Sequence, residues 1–231
     1  MGDGYNADDV IMKGHPLGSY YNWVADGVWQ AGETQAATYS QLEGQGRVVD
    51  FDENGVINQN DKRVVGSVLP SWTGGFNSTL TYKGFDFSFS VVTRQGMTAY
   101  SPFHAEFTNH EDRGRSKLDI NWYMQSNPVT ASRTSEVYPQ PKNAGIYWRT
   151  YSVGYYRDAS YTKVKNITLG YTFSQPFIEK VGLKNLRLYG NVTNPFVFSE
   201  YDGFDPEWAT ATYANGGMSF VTYQLGVNAK F

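Results

Sequence analysis

The sequence predicts an all-β fold: consecutive strands of a large transmembrane antiparallel β-barrel, joined by long extracellular loops. Three observations predict it. Segments with a two-residue apolar–polar alternation recur along the 231 residues, the last reaching Phe231. Aromatic residues make up 16% of the chain, with 18 Tyr and 14 Phe, and these side chains favour strands over helices. The connections between the alternating segments are in turn short and long, as the two ends of a barrel require.

Residues 1–17 are polar and irregular. Residues 18–30 are aromatic-rich, a candidate sixth strand with a turn signal at Ala25-Asp26-Gly27. Residues 31–47 read as a loop. From Trp72 to Tyr82, Phe76, Leu80 and Tyr82 oppose Asn77, Thr79 and Thr81. Lys83-Gly84 signals a tight turn. Phe85, Phe87, Phe89 and Val91 then alternate with Asp86, Ser88 and Ser90. Residues 97–160 form a long extracellular loop, in which Ser116 is placed to cap a short helix through about Gln125.

In the strand at 161–173, Ile167, Leu169, Tyr171 and Phe173 oppose Asn166, Thr168, Gly170 and Thr172. Ser174, Pro176 and Gly182 bracket a helix of one or two turns. In the strand at 183–198, Leu186, Leu188, Val192, Phe196 and Phe198 share one face, and Asn185, Arg187, Asn191 and Thr193 the other. After a loop through Asn215-Gly216-Gly217, the last run places Val221, Tyr223, Leu225, Val227, Ala229 and Phe231 opposite Thr222, Gln224, Gly226, Asn228 and Lys230. A tilted strand crosses a bilayer in about 9–11 residues. An apolar outside, a polar inside and aromatic ends mark a barrel wall. A soluble β-sandwich also alternates, so the period alone does not decide.

Composition narrows the function. A net charge of −3 argues against a nucleic-acid partner, since phosphate binding needs clustered Lys and Arg. There is no cysteine, hence no disulfide framework, thiolate metal site or lipoprotein anchor on this chain. No apolar run is long enough for a transmembrane helix, and the mean hydropathy of −0.49 suits half-polar barrel strands. The first residues lack the basic and apolar regions of an export signal, so the expectation is the tail of a longer protein.

One segment has metal-ligand spacing. Residues 48–63 contain Asp50-x-Asp52-x-Asn54-Gly55-Val56-x-Asn58-x-x-Asp61, which fits a calcium loop. The ligands would be Asp50, Asp52, Asn54, the Val56 carbonyl, Asn58 and Asp61, and the ion, Ca²⁺, would be structural. The bland alternative is an Asx-rich turn. Trp122, Tyr123, Tyr147 and Trp148 in the long loop are candidate substrate-contacting aromatics, since a flat apolar ring with a polar edge stacks on sugars. Packing of the loop against itself, or an interfacial girdle, is the plainer reading of the same rings and the favoured one. His15, His104 and His110 are scattered, without zinc spacing. Loop acids such as Glu111, Asp112 and Asp119 are too common to signal a glycosidase pair. No nucleophile motif and no organic cofactor motif appears, so the protein reads as a non-enzyme.

Several stretches carry a family resemblance. They are Gly14-His15-Pro16-Leu17-Gly18-Ser19-Tyr20-Tyr21 with Asp26-Gly27-Val28-Trp29-Gln30, the Asp50–Arg63 segment, and Tyr82-Lys83-Gly84-Phe85-Asp86. Asp158-Ala159-Ser160-Tyr161-Thr162-Lys163-Val164-Lys165-Asn166-Ile167-Thr168-Leu169-Gly170-Tyr171 continues them. Asn185-Leu186-Arg187-Leu188-Tyr189 through Asn194 and Tyr201-Asp202-Gly203-Phe204-Asp205-Pro206-Glu207 complete them. In order and spacing the chain resembles the C-terminal part of a SusC/RagA-type TonB-dependent outer-membrane transporter of Bacteroidota, over nearly its whole length.

The resemblance implies a partial barrel: residues 1–231 as the C-terminal segment of a wall of roughly 22 strands, with the plug domain absent. It implies residence in the bacterial outer membrane, in contact with its lipids. It further implies import of oligosaccharides or peptides with a SusD-like lipoprotein, energised by the TonB complex through parts of the parent absent here. Phe231 matches the aromatic C-terminal residue that barrel-insertion machinery reads. The leading alternative is a soluble surface-exposed β-protein with a calcium loop that binds glycans; a weaker one is a β-rich glycoside hydrolase.

Overall fold

The computed structural model describes residues 11–108, 118, 120–124, 135–210 and 218–231. Ser116, His110, Glu111, Asp112 and Asp119 lie outside the described residues. In chain order the elements are β1 (Ser19–Asn22), β2 (Ala25–Val28), β3 (Gly46–Val48), β4 (Arg63–Ser67), β5 (Trp72–Tyr82), β6 (Phe85–Gln95) and β7 (Thr98–Tyr100). Then come α1 (Pro102–Phe107), α2 (Ile146–Arg149), β8 (Tyr156–Asp158), β9 (Tyr161–Thr172), α3 (Gln175–Ile178), β10 (Asn185–Ser199) and β11 (Thr222–Lys230). They fall into two compact units.

One unit holds the expected barrel strands. They form a five-stranded sheet in the order β11-β10-β9-β6-β5, every neighbour antiparallel, and the sheet does not close. Lys83 and Gly84 join β5 to β6 with φ of +47° and +86°, the left-handed pair that matches strand twist in a two-residue hairpin. The strand at 161–173 leads into α3, and Gly182 ends the turn that follows at φ +75°.

Register keeps the two faces chemically distinct. Ile167, Leu169 and Tyr171 of β9 lie opposite Phe89, Phe87 and Phe85 of β6, and opposite Val192, Gly190 and Leu188 of β10. Leu188 and Gly190 in turn oppose Val227 and Leu225 of β11, and Leu225 is 94% exposed. On the reverse face Asn166 meets Ser90 and Thr193, and Thr168 meets Ser88 and Asn191. The register shifts between Ser90 and Val91 and between Thr193 and Phe196, both opposite residues 164–166 of β9. This irregularity leaves Lys165 outside the ladder, the local re-aiming that a bulge provides.

The other unit departs from expectation. Residues 18–30 are not a sixth barrel strand with a central turn: they form β1 and β2, which pair with β4 and β3 in separate two-stranded ladders. The Ala25-Asp26-Gly27 signal marks an irregular register with β3 instead, and Gly27 absorbs it at φ +88°. The connection at 97–160 is likewise not plain loop, for it carries β7, α1, α2 and β8, and β7 pairs with β8. Trp23, Val48 and Val153 form a buried core here, with Ile57, Tyr147 and Tyr151 packed on it. Residues 120–124 are not helical; Trp122 bridges Tyr138, and the Tyr123 N–H donates to the Tyr138 carbonyl at 2.9 Å. Burial of these rings overrides local helix preference.

Candidate functional site

The 50–61 loop folds back on itself. Gly55 takes φ +81° and its N–H donates to Asp50 Oδ2 at 2.8 Å, where the Tyr39 hydroxyl also donates at 3.1 Å. Asp61, fully buried, accepts the Phe51 N–H at 2.9 Å on one oxygen and the Asn58 N–H at 2.8 Å on the other. Asn58 completes a capping box by accepting the Asn60 N–H at 2.8 Å. Carboxylate oxygens of Asp50, Asp52 and Asp61 thereby lie within 4.8 Å of one another. Asp50 Oδ1 is buried with no hydrogen-bond partner. Burial pushes the Asp50 carboxyl up, but the bonds from Gly55 and Tyr39 outweigh it and hold it below the ordinary range.

The loop's other predicted ligands are engaged locally. The Val56 carbonyl accepts from Asn58 Nδ2 at 3.0 Å, and Asn54 Oδ1 accepts the Val56 N–H at 2.8 Å. The donor set is all oxygen and suits a hard divalent ion. Two contacts tie the loop to the core: the Trp23 indole N–H donates to the Asn58 carbonyl at 2.8 Å, and Ile57 packs beside Trp23.

The candidate aromatics do not form an open platform. Trp122, Tyr123 and Trp148 are buried, Tyr123 at 1% exposure, and Tyr147 packs edge-on against Trp23 at 5.5 Å between centroids. The Trp148 ring lies so close to Gly154 that a Cβ there would come within 2.1 Å of it. The Tyr123 hydroxyl donates to Glu43 at 2.6 Å, and burial, with Glu43 adding to it, pushes that phenol up to about 12. Trp122, Tyr123 and Trp148 are interior packing, and Tyr147 is partly buried against the core.

The polar face of the sheet carries arrangements that strand periodicity could not reveal. Asn166 Nδ2 donates to Asn191 Oδ1 at 2.6 Å, and Asn191 Nδ2 donates to Gln224 Oε1 at 3.1 Å, an amide ladder across three strands. Arg187 donates to both oxygens of Asp86 at 2.9 and 2.5 Å. At the bulge, Lys163 is wholly buried; its ammonium donates to both Asp205 oxygens at 3.0 Å, to Glu207 at 2.8 Å and to Ser219 Oγ at 3.0 Å. Lys165 reaches the same Glu207 oxygen at 2.6 Å. Burial pushes Glu207 up, but the bonds from Lys163 and Lys165 overcome it and hold the carboxyl at about 2.

No protein-family model matches the chain. It is 27% identical to the TonB-dependent receptor P3 of Formosa agariphila, over 96% of this chain and 23% of that protein. It is 30% identical to the TonB-dependent receptor SusC of Bacteroides thetaiotaomicron, over 79% of this chain and 17% of that one. The fold matches the RagAB peptide transporter with a TM-score of 0.61 at 20% identity, covering 92% of this chain and 23% of the other. The chain is similar to a segment of the SusC/RagA-type TonB-dependent receptors.

It spans between 17% and 23% of the length of these SusC/RagA-type relatives. The five-stranded sheet is accordingly part of an outer-membrane barrel wall. The face bearing Leu169, Leu188 and Leu225 is apolar and the face bearing Asn166, Asn191 and Gln224 is polar, the two-sidedness that a barrel wall between lipid and lumen requires.

Proposed function

We propose that this chain supplies wall strands and extracellular structure to a TonB-dependent importer of oligosaccharides or peptides that works with a SusD-like lipoprotein. The observation that carries this reading is the two-faced sheet, apolar through Leu225 and amide-lined through Asn191, in a chain related to SusC and similar in fold to RagAB. Wall strands position the loops and enclose the path; the TonB complex would act through other parts of the parent receptor. No covalent chemistry is assigned to this segment. The test is purification of the tagged full-length receptor from its own outer membrane, with growth of a deletion strain. A co-purifying lipoprotein and lost growth on one class of glycan or peptide support the proposal. A receptor without a lipoprotein partner, and a deletion strain that grows on all such nutrients, overturn it.

A second reading concerns the 50–61 loop, which we propose holds a structural Ca²⁺. The observation favouring it is three carboxylates converging within 4.8 Å beside a buried, unpartnered Asp50 oxygen. Like charges so placed repel, and a hard cation relieves the repulsion.

A further inference from the structure

Two of the stretches that carry the family resemblance meet in space. Tyr161-Thr162-Lys163-Val164-Lys165 supplies two cations from β9, and Phe204-Asp205-Pro206-Glu207 supplies two anions from the connection that follows β10. The contacts are redundant. Glu207 is shared by both lysines, and Asp205 binds Lys163 through both oxygens. Asp205 also accepts the Glu207 N–H at 2.9 Å and the Ser219 N–H at 3.2 Å, so it organises both sides of the connection.

The energetics make this arrangement committed. An ammonium with no solvent exposure is tolerated only when fully paired and hydrogen-bonded. Lys163 donates to Asp205, Glu207 and Ser219, so every proton of its ammonium has an acceptor. Releasing the connection would strand that charge against the sheet, and the loss would fall on all of these partners together. Regular alternation would put Lys163 and Lys165 together on the apolar face of Ile167 and Leu169; the register shift beside residues 164–166 turns them to the polar side instead.

We propose that Lys163 and Lys165 with Asp205, Glu207 and Ser219 form a permanent charge latch, fixing both described ends of the 200–219 connection to the lumen face of β9. Residues 200–207, 218 and 219, the described ends of the connection that lie in the same unit as β9, are therefore held as static parts of the lumen wall. Two cations and two anions cancel within the latch, so it offers no net charge to a passing substrate. This goes beyond the importer reading and holds for any function of the barrel.

The test is the distance between spin labels at Lys184→Cys and Phe204→Cys, both exposed positions, in the full-length receptor freed of other cysteines and held in detergent. Lys184 precedes β10 at the short-turn end of the sheet, and Phe204 rides on the latched connection. The expected result is one narrow distance peak, lost in Lys163→Gln/Lys165→Gln. A broad distribution in the unaltered receptor overturns the latch, and so does a narrow peak in the double variant. Should the double variant fail to insert, Glu207→Gln carries the test, since it removes the anion both lysines share: loss of the narrow peak supports the latch, and an unchanged peak overturns it.

Discussion

Arg187 of β10 and Asp86 of β6 form a two-point ion pair, at 2.9 and 2.5 Å, across the strand that separates theirs. The pair passes directly over Gly170 of β9, where an added Cβ would lie 2.5 Å from the guanidinium and from the carboxylate. Glycine is used there for space, not for backbone freedom. The same cross-strand row repeats the device: the Tyr189 ring covers Gly226, and the Arg187 guanidinium sits 4.8 Å from the centre of that ring.

Gly170→Val should therefore displace the Arg187–Asp86 pair and destabilise the receptor by about 1–3 kcal/mol, the usual cost of overpacking. Gly190→Ala, on the opposite face, should be near neutral, because its Cβ meets Leu225 at an ordinary 3.5 Å. Denaturant unfolding of the two variants in detergent micelles checks the contrast. Equal midpoints would show that Gly170 is not the clearance for the pair.

Leu225→Arg should impair assembly far more than Gln224→Arg. The first places a guanidinium in hydrocarbon, at a cost of about 2–4 kcal/mol near the midplane, and the second places it among the lumen amides. The amount of folded receptor in outer membranes, read by heat-modified gel mobility, measures both. The reverse order would mean the faces are exchanged.

Calcium should bind in the weak extracellular range, about 10⁻⁴–10⁻³ M, because Asp61 stands at the twelfth position, where a longer Glu is usual. Terbium luminescence or calorimetry on the full-length receptor should show binding that is lost in Asp50→Ala/Asp52→Ala. Because Trp23 bonds the Asn58 carbonyl, its fluorescence should shift on calcium addition to the unaltered receptor alone. Identical signals from both proteins would leave the loop an Asx-rich turn.

The acid response of the latch follows from Glu207. Its carboxyl is lowered from an ordinary 4.5 to about 2, and Asp205 is lowered from 3.8, in both cases by bonds that outweigh burial. A depressed carboxyl stabilises the fold fully above its unfolded value and loses that contribution as the pH falls through its folded one. The narrow label distance should thus hold from neutral pH down to the unfolded carboxylate range, and broaden as the pH falls further toward about 2. Broadening that begins near neutral pH would contradict this.

The wall strands were legible because the two sides of a barrel see different solvents, so Ile167, Leu169 and Tyr171 separate cleanly from Asn166 and Thr168 at a two-residue period. The unit containing Trp23 was not legible in the same way. Its aromatics are buried without a two-sided pattern, so the sequence favours packing for Trp122 and Trp148 but leaves a binding surface open. The 50–61 loop was legible as ligand spacing, since its contacts are local. Lys163 and Asp205 are 42 positions apart, and their meeting depends on a bulge whose register only pairing with β6 and β10 defines.

The most direct measurement is a spin-label scan of β11 from Tyr223 to Ala229 in the receptor reconstituted in lipid, comparing collisions with oxygen, which partitions into lipid, and with a water-soluble nickel complex. Tyr223, Leu225, Val227 and Ala229 should favour oxygen, while Gln224, Gly226 and Asn228 should favour nickel, with a period of two residues. Uniform access to the nickel complex along the strand would contradict a membrane-spanning wall.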